Sequence, residues 1–219
     1  MTEDAYDLLI FGGTRNTGLL IARLATARHW RVAAMVRPGS DSTAIEAAGV
    51  DVIAGDAFSV DDCWRAVAAA SPRRIVSTMG GKDANGRRVD FVGNRHIIDA
   101  AVACGRNLDR FVLVTSMGCG DQYAGTSEKV KLMLGEALRA KTEAENALMD
   151  SALPWTILRP GGLSNDPPNG EYDLLRRIDA KKGGYISRED VASAVLTLLD
   201  DAAYRRAIVT IQSTARQTA

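Results

Sequence analysis

The run Phe11-Gly12-Gly13-Thr14-Arg15-Asn16-Thr17-Gly18 carries the densest chemistry in the chain. It lies between an apolar stretch, Tyr6 to Phe11, and an Ala-rich stretch of helical period, Thr17 to Arg28. Gly12 lets a chain leaving a strand turn sharply. Backbone N–H groups around Asn16 and Thr17, at a helix start, then point outward with the positive end of the helix dipole behind them. Such a corner holds a diphosphate. Gly18 lets the helix pack close to the sheet. The strict GxGxxG spacing is absent, and Arg15 stands where many such turns have glycine. Its side chain either blocks the diphosphate or reaches toward an adenosine phosphate. By itself the run also fits a plain turn, and its place at the first strand–helix junction is what gives it weight.

Three further positions belong with that corner. Arg37 closes the stretch VAAMVR. An Asp or Glu there would accept from ribose hydroxyls, whereas an arginine pairs with a 2′-phosphate, which favours NADP(H) over NAD(H). The bland alternative is a solvated arginine at a strand end. Asp56, with Ala57 in AGDAF, is placed to accept from an adenine amino group, or else is a helix N-cap or turn carboxylate. Ser77, Thr78, Met79, Gly80 and Gly81 end another strand, and the glycines let backbone approach a ribose or nicotinamide. His29 and His96 fall on predicted helices and read as surface or helix-packing residues. Asp121 and Glu128 read as solvated loop carboxylates, and nothing around Cys119 signals a lowered thiol pKa. Arg73-Arg74 reads as strand-end charge. Arg176-Arg177 reads as helix-surface charge, or meets an anionic substrate from the lid described below.

The elements that must hold these residues alternate. Strands are predicted at Tyr6–Phe11, Arg31–Val36, Val50–Ala54, Arg74–Thr78, Arg110–Thr115, Trp155–Leu158 and Ala207–Ile211. Helices are predicted at Thr17–Arg28, Ser42–Ala48, Val60–Ala70, Val89–Ala103, Lys129–Ser151 and Arg188–Asp200. Strands separated by helices imply right-handed crossovers and a mostly parallel sheet covered on both faces. The fold class is therefore α/β: one Rossmann-type, doubly wound parallel sheet over residues 1–219, with ligands outside the C-terminal strand ends. Gly161 to Gly184, with Pro167 and Pro168, is the one irregular region. It reads as a substrate lid or an ordinary surface loop, with a short helix at Tyr172–Ala180.

Composition narrows the function classes. The 219 residues are 46% hydrophobic and 25% charged, with Lys plus Arg equal to Asp plus Glu at 27 each. Zero net charge argues against a general nucleic-acid binder. Cys63, Cys104 and Cys119 are odd in number and lack CxxC spacing, which argues against a disulfide framework or a zinc site, so no metal is expected. The apolar runs are too short for a membrane span, and the opening MTEDAYDLLIFGG lacks the basic start of a targeting segment. The expectation is a cytoplasmic monomer or homodimer whose partner is a small molecule, neither nucleic acid nor membrane.

Taken together, several motifs resemble the atypical short-chain dehydrogenase/reductases, in the NAD(P)H-binding branch of NmrA-like and biliverdin reductase B-like proteins. They are GGTRNTG, the arginine at 37, the GD at Asp56, STMGG from Ser77, GNRHIIDAA from Gly93, FVLVTSMG from Phe111, KTEAENAL from Lys141, WTILRPGGL from Trp155 and ISREDVA from Ile186. They run in family order across nearly the whole chain. The resemblance implies a Rossmann fold and an NADP(H) cofactor held by Gly12, Thr14, Arg15, Asn16, Thr17, Gly18, Arg37, Asp56, Ala57, Thr78, Met79, Gly80, Thr115 and Lys141, with Pro160, Gly161, Gly162 and Leu163 beside the nicotinamide. It implies catalytic roles for Ser116, as a hydrogen-bond partner of the substrate, and for Lys141, as a contact of the nicotinamide ribose. The family tyrosine four residues before that lysine is Ala137 here. The activity implied is hydride transfer to a flavin, quinone, bilin or carbonyl acceptor. The alternative is a non-catalytic NADP(H) sensor or scaffold. A nucleotide-sugar isomerase is a third reading, weakened by the short chain.

Overall fold

The computed structural model describes residues 5–83, 85–105, 107–177 and 185–214. Its framework alternates as the sequence pattern requires. The elements through the first half are β1 (Leu8–Phe11), α1 (Asn16–Ala27), β2 (Val32–Val36), α2 (Thr43–Glu46), β3 (Asp51–Ala54), α3 (Val60–Ala70), β4 (Arg74–Ser77), α4 (Val92–Cys104) and β5 (Arg110–Val114). There follow a 3-10 turn (Gly120–Gly125), α5 (Glu128–Met149), β6 (Trp155–Pro160), β7 (Gly162–Ser164), β8 (Tyr172–Leu175), β9 (Tyr185–Ser187), α6 (Arg188–Asp200) and β10 (Ala207–Ser213).

Eight strands form one sheet in the order β3-β2-β1-β4-β5-β6-β10-β8, and β7 pairs with β9 separately. Every pair in the large sheet is parallel except β10 with β8. The chain winds outward from β1 to β3 and then restarts on the other side of β1 at β4. The C-terminal ends of β1 and β4 therefore diverge at the switch point, where such sheets leave a crevice.

Alternation along β1 shows why the core has two halves. Leu8 and Ile10 join one apolar cluster with Ile21 and Ala25 of α1 and Val191 and Val195 of α6. Leu9 and Phe11 join the other, with Ala66 of α3, Ile97 of α4 and Leu148 of α5. Residues two apart share a face of a strand, so a continuous apolar run serves both covers.

The stretch after β6 departs from expectation. No helix forms at Tyr172–Leu175; these residues are β8, paired antiparallel with β10 from Tyr172↔Ser213 to Leu175↔Thr210. Tyr172 and Leu174 both pack on the core, a period of two that fits a strand. The unpaired edge of β10 overrides local helix propensity, and β10 extends to Ser213 to match. β7 and β9 are likewise strands where the sequence suggests loop. The remainder of the expected lid, residues 178–184, lies outside the described residues.

Candidate functional site

A cavity of about 860 Å3 opens at the β1/β4 switch point and runs along the C-terminal strand ends. Its volume suits a sizeable small-molecule ligand. Of the residues expected at the site, all but Gly161 and Gly162 line it. Gly162 is needed for a different reason: a Cβ there would come 3.0 Å from the ring of Tyr185 on the paired strand β9.

The first corner is built by close backbone contact. Gly12 adopts φ +87°, and a Cβ on it would meet Thr78 Oγ1 at 2.7 Å. A Cβ on Gly18 would sit 2.1 Å from the Gly12 carbonyl oxygen, so only glycine lets α1 start this close to β1. Thr78 bolts the corner to β4: its N–H donates to Phe11 O (3.0 Å) and its hydroxyl to Gly12 O (3.0 Å). Helices α3, α5 and α6 begin on serine caps. Helix α1, like α4, has neither a side-chain cap nor an acidic residue in its first turn. Its first backbone bond runs from Leu19 N–H to Arg15 O, which leaves the preceding amides without an intrahelical acceptor. Asn16 takes a left-handed φ of +51°, a conformation asparagine tolerates. These features fit a diphosphate, supplied with amide protons and a helix terminus. Arg15 is exposed on the cavity rim beside this corner.

Arg37 follows β2, lines the same cavity and is exposed. Its guanidinium has no hydrogen-bond or ion-pair partner among the described residues. Asp41 is exposed and lines the same cavity, with Oδ1 accepting from Thr43 N–H (2.9 Å) at the start of α2. That backbone bond and the Thr43 hydroxyl hold the Asp41 carboxyl below the usual carboxylate range. Asp56 acts as a turn carboxylate, and the cap of α3 is Ser59 instead. Asp56 lines the cavity, yet one oxygen closes a turn by accepting from Phe58 N–H (2.9 Å).

The opposite end of the cavity is crowded with paired charge. Lys141 Nζ lies 3.1 Å from Asp90 Oδ1, and Lys82 Nζ lies 2.8 Å from Glu136 Oε2. Arg188, at the start of α6, donates to Asn165 Oδ1 (2.8 Å). Thr115 borders the cavity, but its hydroxyl donates inward to Glu145 Oε1 (2.6 Å). Glu145 also accepts from Arg159 Nε (3.0 Å) and Nη2 (2.6 Å), and Arg159 Nη1 donates to Asp121 Oδ1 (2.6 Å). Burial disfavours the Arg159 guanidinium, but its bonds and attraction to Glu145 and Asp121 prevail and hold its pKa above the ordinary value. This buried cluster fixes the loop after β5 against β6 and α5. Asp121 is thus an anchor for that loop, although its side chain is 82% exposed.

Ser116 lines the cavity with its hydroxyl donating to Met117 O (3.0 Å). Ala137 lines it where the family tyrosine would stand. Tyr123 is no substitute: it is not part of the lining, and its hydroxyl accepts from Arg139 Nη1 (3.1 Å). Cys119 is buried, and desolvation with the nearby Glu145 pushes its thiol up to about 11. His96 packs on the neighbouring turn, Nδ1 lying 2.9 Å from Ala57 O, and His29 is exposed beyond the end of α1. No cluster of metal-binding side chains occurs among the described residues, and no helix among them is long and apolar enough to cross a membrane.

Asp90, Glu145 and Arg159 do not line the cavity but support it, Asp90 holding Lys141 and the Glu145–Arg159 pair holding Thr115, and the sequence pattern singles out none of them. Glu145 lies four residues after Lys141, on the same helix face, and that spacing is the one available signal.

Comparison with known proteins agrees with this geometry. A family model described as NAD(P)H-binding matches residues 12–202. The solved structure of ChuY, an anaerobilin reductase from Escherichia coli O157:H7, is 33% identical, covers 97% of this chain and 99% of its own, and superposes with a TM-score of 0.85. An uncharacterized sugar epimerase, YhfK of Bacillus subtilis, is 33% identical over 175 residues, which span 78% of this chain and 76% of that protein. Sanguinarine reductase of Eschscholzia californica is 34% identical over 116 residues, spanning 52% of this chain and 41% of that protein.

Proposed function

The chain belongs to the NAD(P)H-binding family, and on that footing we propose that it is an NADP(H)-dependent oxidoreductase that passes hydride to a compact acceptor. The observation that carries the cofactor choice is Arg37, whose guanidinium has no partner among the described residues, on the same cavity as the uncapped start of α1. A 2′-phosphate is the group that would satisfy it, and a bare ribose would not. The similarity to two proteins named as reductases supports the reaction class.

When bound, the nicotinamide supplies the hydride. The residues supply binding and orientation. The Gly12–Gly18 corner holds the diphosphate, and Asp56 offers its remaining oxygen toward the adenine. The backbone of Thr78 to Gly80, with Lys141, holds the nicotinamide ribose. Ser116 turns its hydroxyl from Met117 to the acceptor. Leu163 of β7 and Arg188 at the start of α6 line the far side of the cavity, where a substrate would be covered. With Ala137 in the tyrosine position, no lining phenol is present among the described residues. Acceptors that take their proton from solvent fit this wall: a flavin, a quinone or a bilin. The cytoplasm is the proposed setting, where the buried thiols Cys63 and Cys119 stay reduced.

The test is loss of nicotinamide absorbance with a panel of flavins, quinones, bilins and small carbonyl compounds. Turnover with NADPH, faster than with NADH, is expected for at least one class. Tight NADPH binding with no turnover across the panel would overturn the enzyme and leave the second reading, a redox sensor. Ala137 favours that reading, and it predicts unequal affinity for NADPH and NADP+ and a protein partner whose capture changes with redox state.

A further inference from the structure

Asp90 precedes α4 by two residues, and its side chain is 2% exposed beside a Lys141 that is 17% exposed. Both carboxylate oxygens and its backbone carbonyl are engaged. Oδ1 faces Lys141 Nζ, while Oδ2 accepts from Gly81 N–H (3.0 Å) and from Arg88 Nη1 (3.2 Å). The backbone carbonyl accepts from Asn94 Nδ2 (2.7 Å), whose Oδ1 in turn accepts from the buried Ser77 hydroxyl (2.6 Å). The fit is close: a Cβ on Gly80 would come 3.0 Å from both Asp90 Oδ1 and Lys141 Nζ. Arg88 is braced from behind by Glu136 (3.5 Å), which also holds Lys82.

We propose that Asp90 is a positioning residue that fixes the Lys141 ammonium and the Gly80–Gly81 backbone where the nicotinamide riboside half of the cofactor is held. The inference rests on the NADP(H) reading above. A lysine stem is flexible and its ammonium strongly hydrated, so an unanchored Lys141 would swing toward water. Without the carboxylate, Lys141 and Arg88 would also face each other as like charges. An asparagine cannot replace it, because donors arrive on both sides of the carboxylate and an amide offers an acceptor on only one.

The experiment titrates NADPH and 2′,5′-ADP, the adenosine half alone, into the wild type, Asp90→Asn, Asp90→Glu, Lys141→Ala and the double variant Asp90→Asn/Lys141→Ala. Asp90→Asn is expected to weaken NADPH about tenfold, the scale of one charged hydrogen bond, and to leave 2′,5′-ADP unchanged. The double variant is expected to bind NADPH within about twofold of Lys141→Ala, because both changes remove one interaction. Unchanged NADPH affinity in Asp90→Asn, equal weakening of both probes, or additive losses in the double variant would overturn the inference. If Asp90→Asn does not fold, Asp90→Glu is read the same way: a loss confined to NADPH supports the role, and no loss overturns it. A wild type that binds neither probe would remove the cofactor reading itself. One that binds both leaves that reading standing while Asp90 is judged alone.

Discussion

The two ends of the cavity treat charge in opposite ways. At the β1–α1 corner, Arg15 and Arg37 are exposed without a side-chain partner among the described residues, the start of α1 is uncapped, and Asp41 is bonded to the Thr43 N–H. At the β5–β6 end, Lys141 pairs with Asp90, Lys82 with Glu136, and Arg159 with Glu145 and Asp121. Even Arg188 is held there, by the Asn165 amide. The first end is a surface with unmet positive charge, which is what a phosphorylated ligand needs. At the second, most of the cations already have carboxylate partners, which suits holding a ring and its acceptor in place. On the proposed reading, the contrast assigns affinity and orientation to different halves of one site, so each half should fail in its own way when altered.

Breaking the paired end should have the largest effect on the fold. Arg159→Met leaves Glu145 buried without its guanidinium, and removing one partner of a buried pair costs about 3–5 kcal/mol. Chemical denaturation should show that loss, and Glu145→Leu in the same chain should restore much of it. A single variant as stable as the wild type would show that the cluster is not what holds this end. At the open end, Gly18→Ala forces a Cβ into the Gly12 carbonyl. Overpacking of this kind costs about 1–3 kcal/mol, and NADPH binding should fall with it. Retained binding would mean that the corner is not the diphosphate site.

The buried thiols give the smallest and most pH-specific expectation. Burial pushes Cys63 up to about 12 and Cys119 up to about 11, from 9.0 for a free thiol. Both are neutral near pH 7, so neither should alkylate readily in the native protein. A raised thiol pKa contributes stability that is complete below the unfolded value and is lost as pH rises through the folded one. Folding stability should therefore show no thiol contribution to its slope below about pH 9 and should decline between pH 9 and 12. Cys119→Ala should make that decline shallower. Rapid alkylation of Cys119 at neutral pH would contradict its burial.

Much of the framework is legible in the amino-acid sequence alone. The periodicity of Val60–Ala70 and Arg188–Asp200 marks two helices at the bounds that they in fact have. The short, buried, β-branched runs mark the parallel strands, because a strand covered on both faces reads as continuous apolar sequence. What escapes is set by tertiary contact. β8 exists because β10 has an edge to cover, and β7 and β9 are three residues each, too short for any period to register. Within the site, the glycines and Arg37 are visible because each stands at a strand end within a recognisable local pattern. Asp90 is not, since the sequence pattern puts Val89-Asp90-Phe91 in the first turn of the predicted helix, whereas α4 starts at Val92, and its partner Lys141 is distant in sequence.

The most direct test of the account is calorimetric titration of NADPH and NADH into the wild type and Arg37→Ala. The wild type should prefer NADPH, and the variant should lose about 1.5–3 kcal/mol of NADPH affinity with NADH unchanged. Equal affinity for the two cofactors in the wild type, or a preference that survives in Arg37→Ala, would contradict the assignment of the open end to a phosphorylated adenosine.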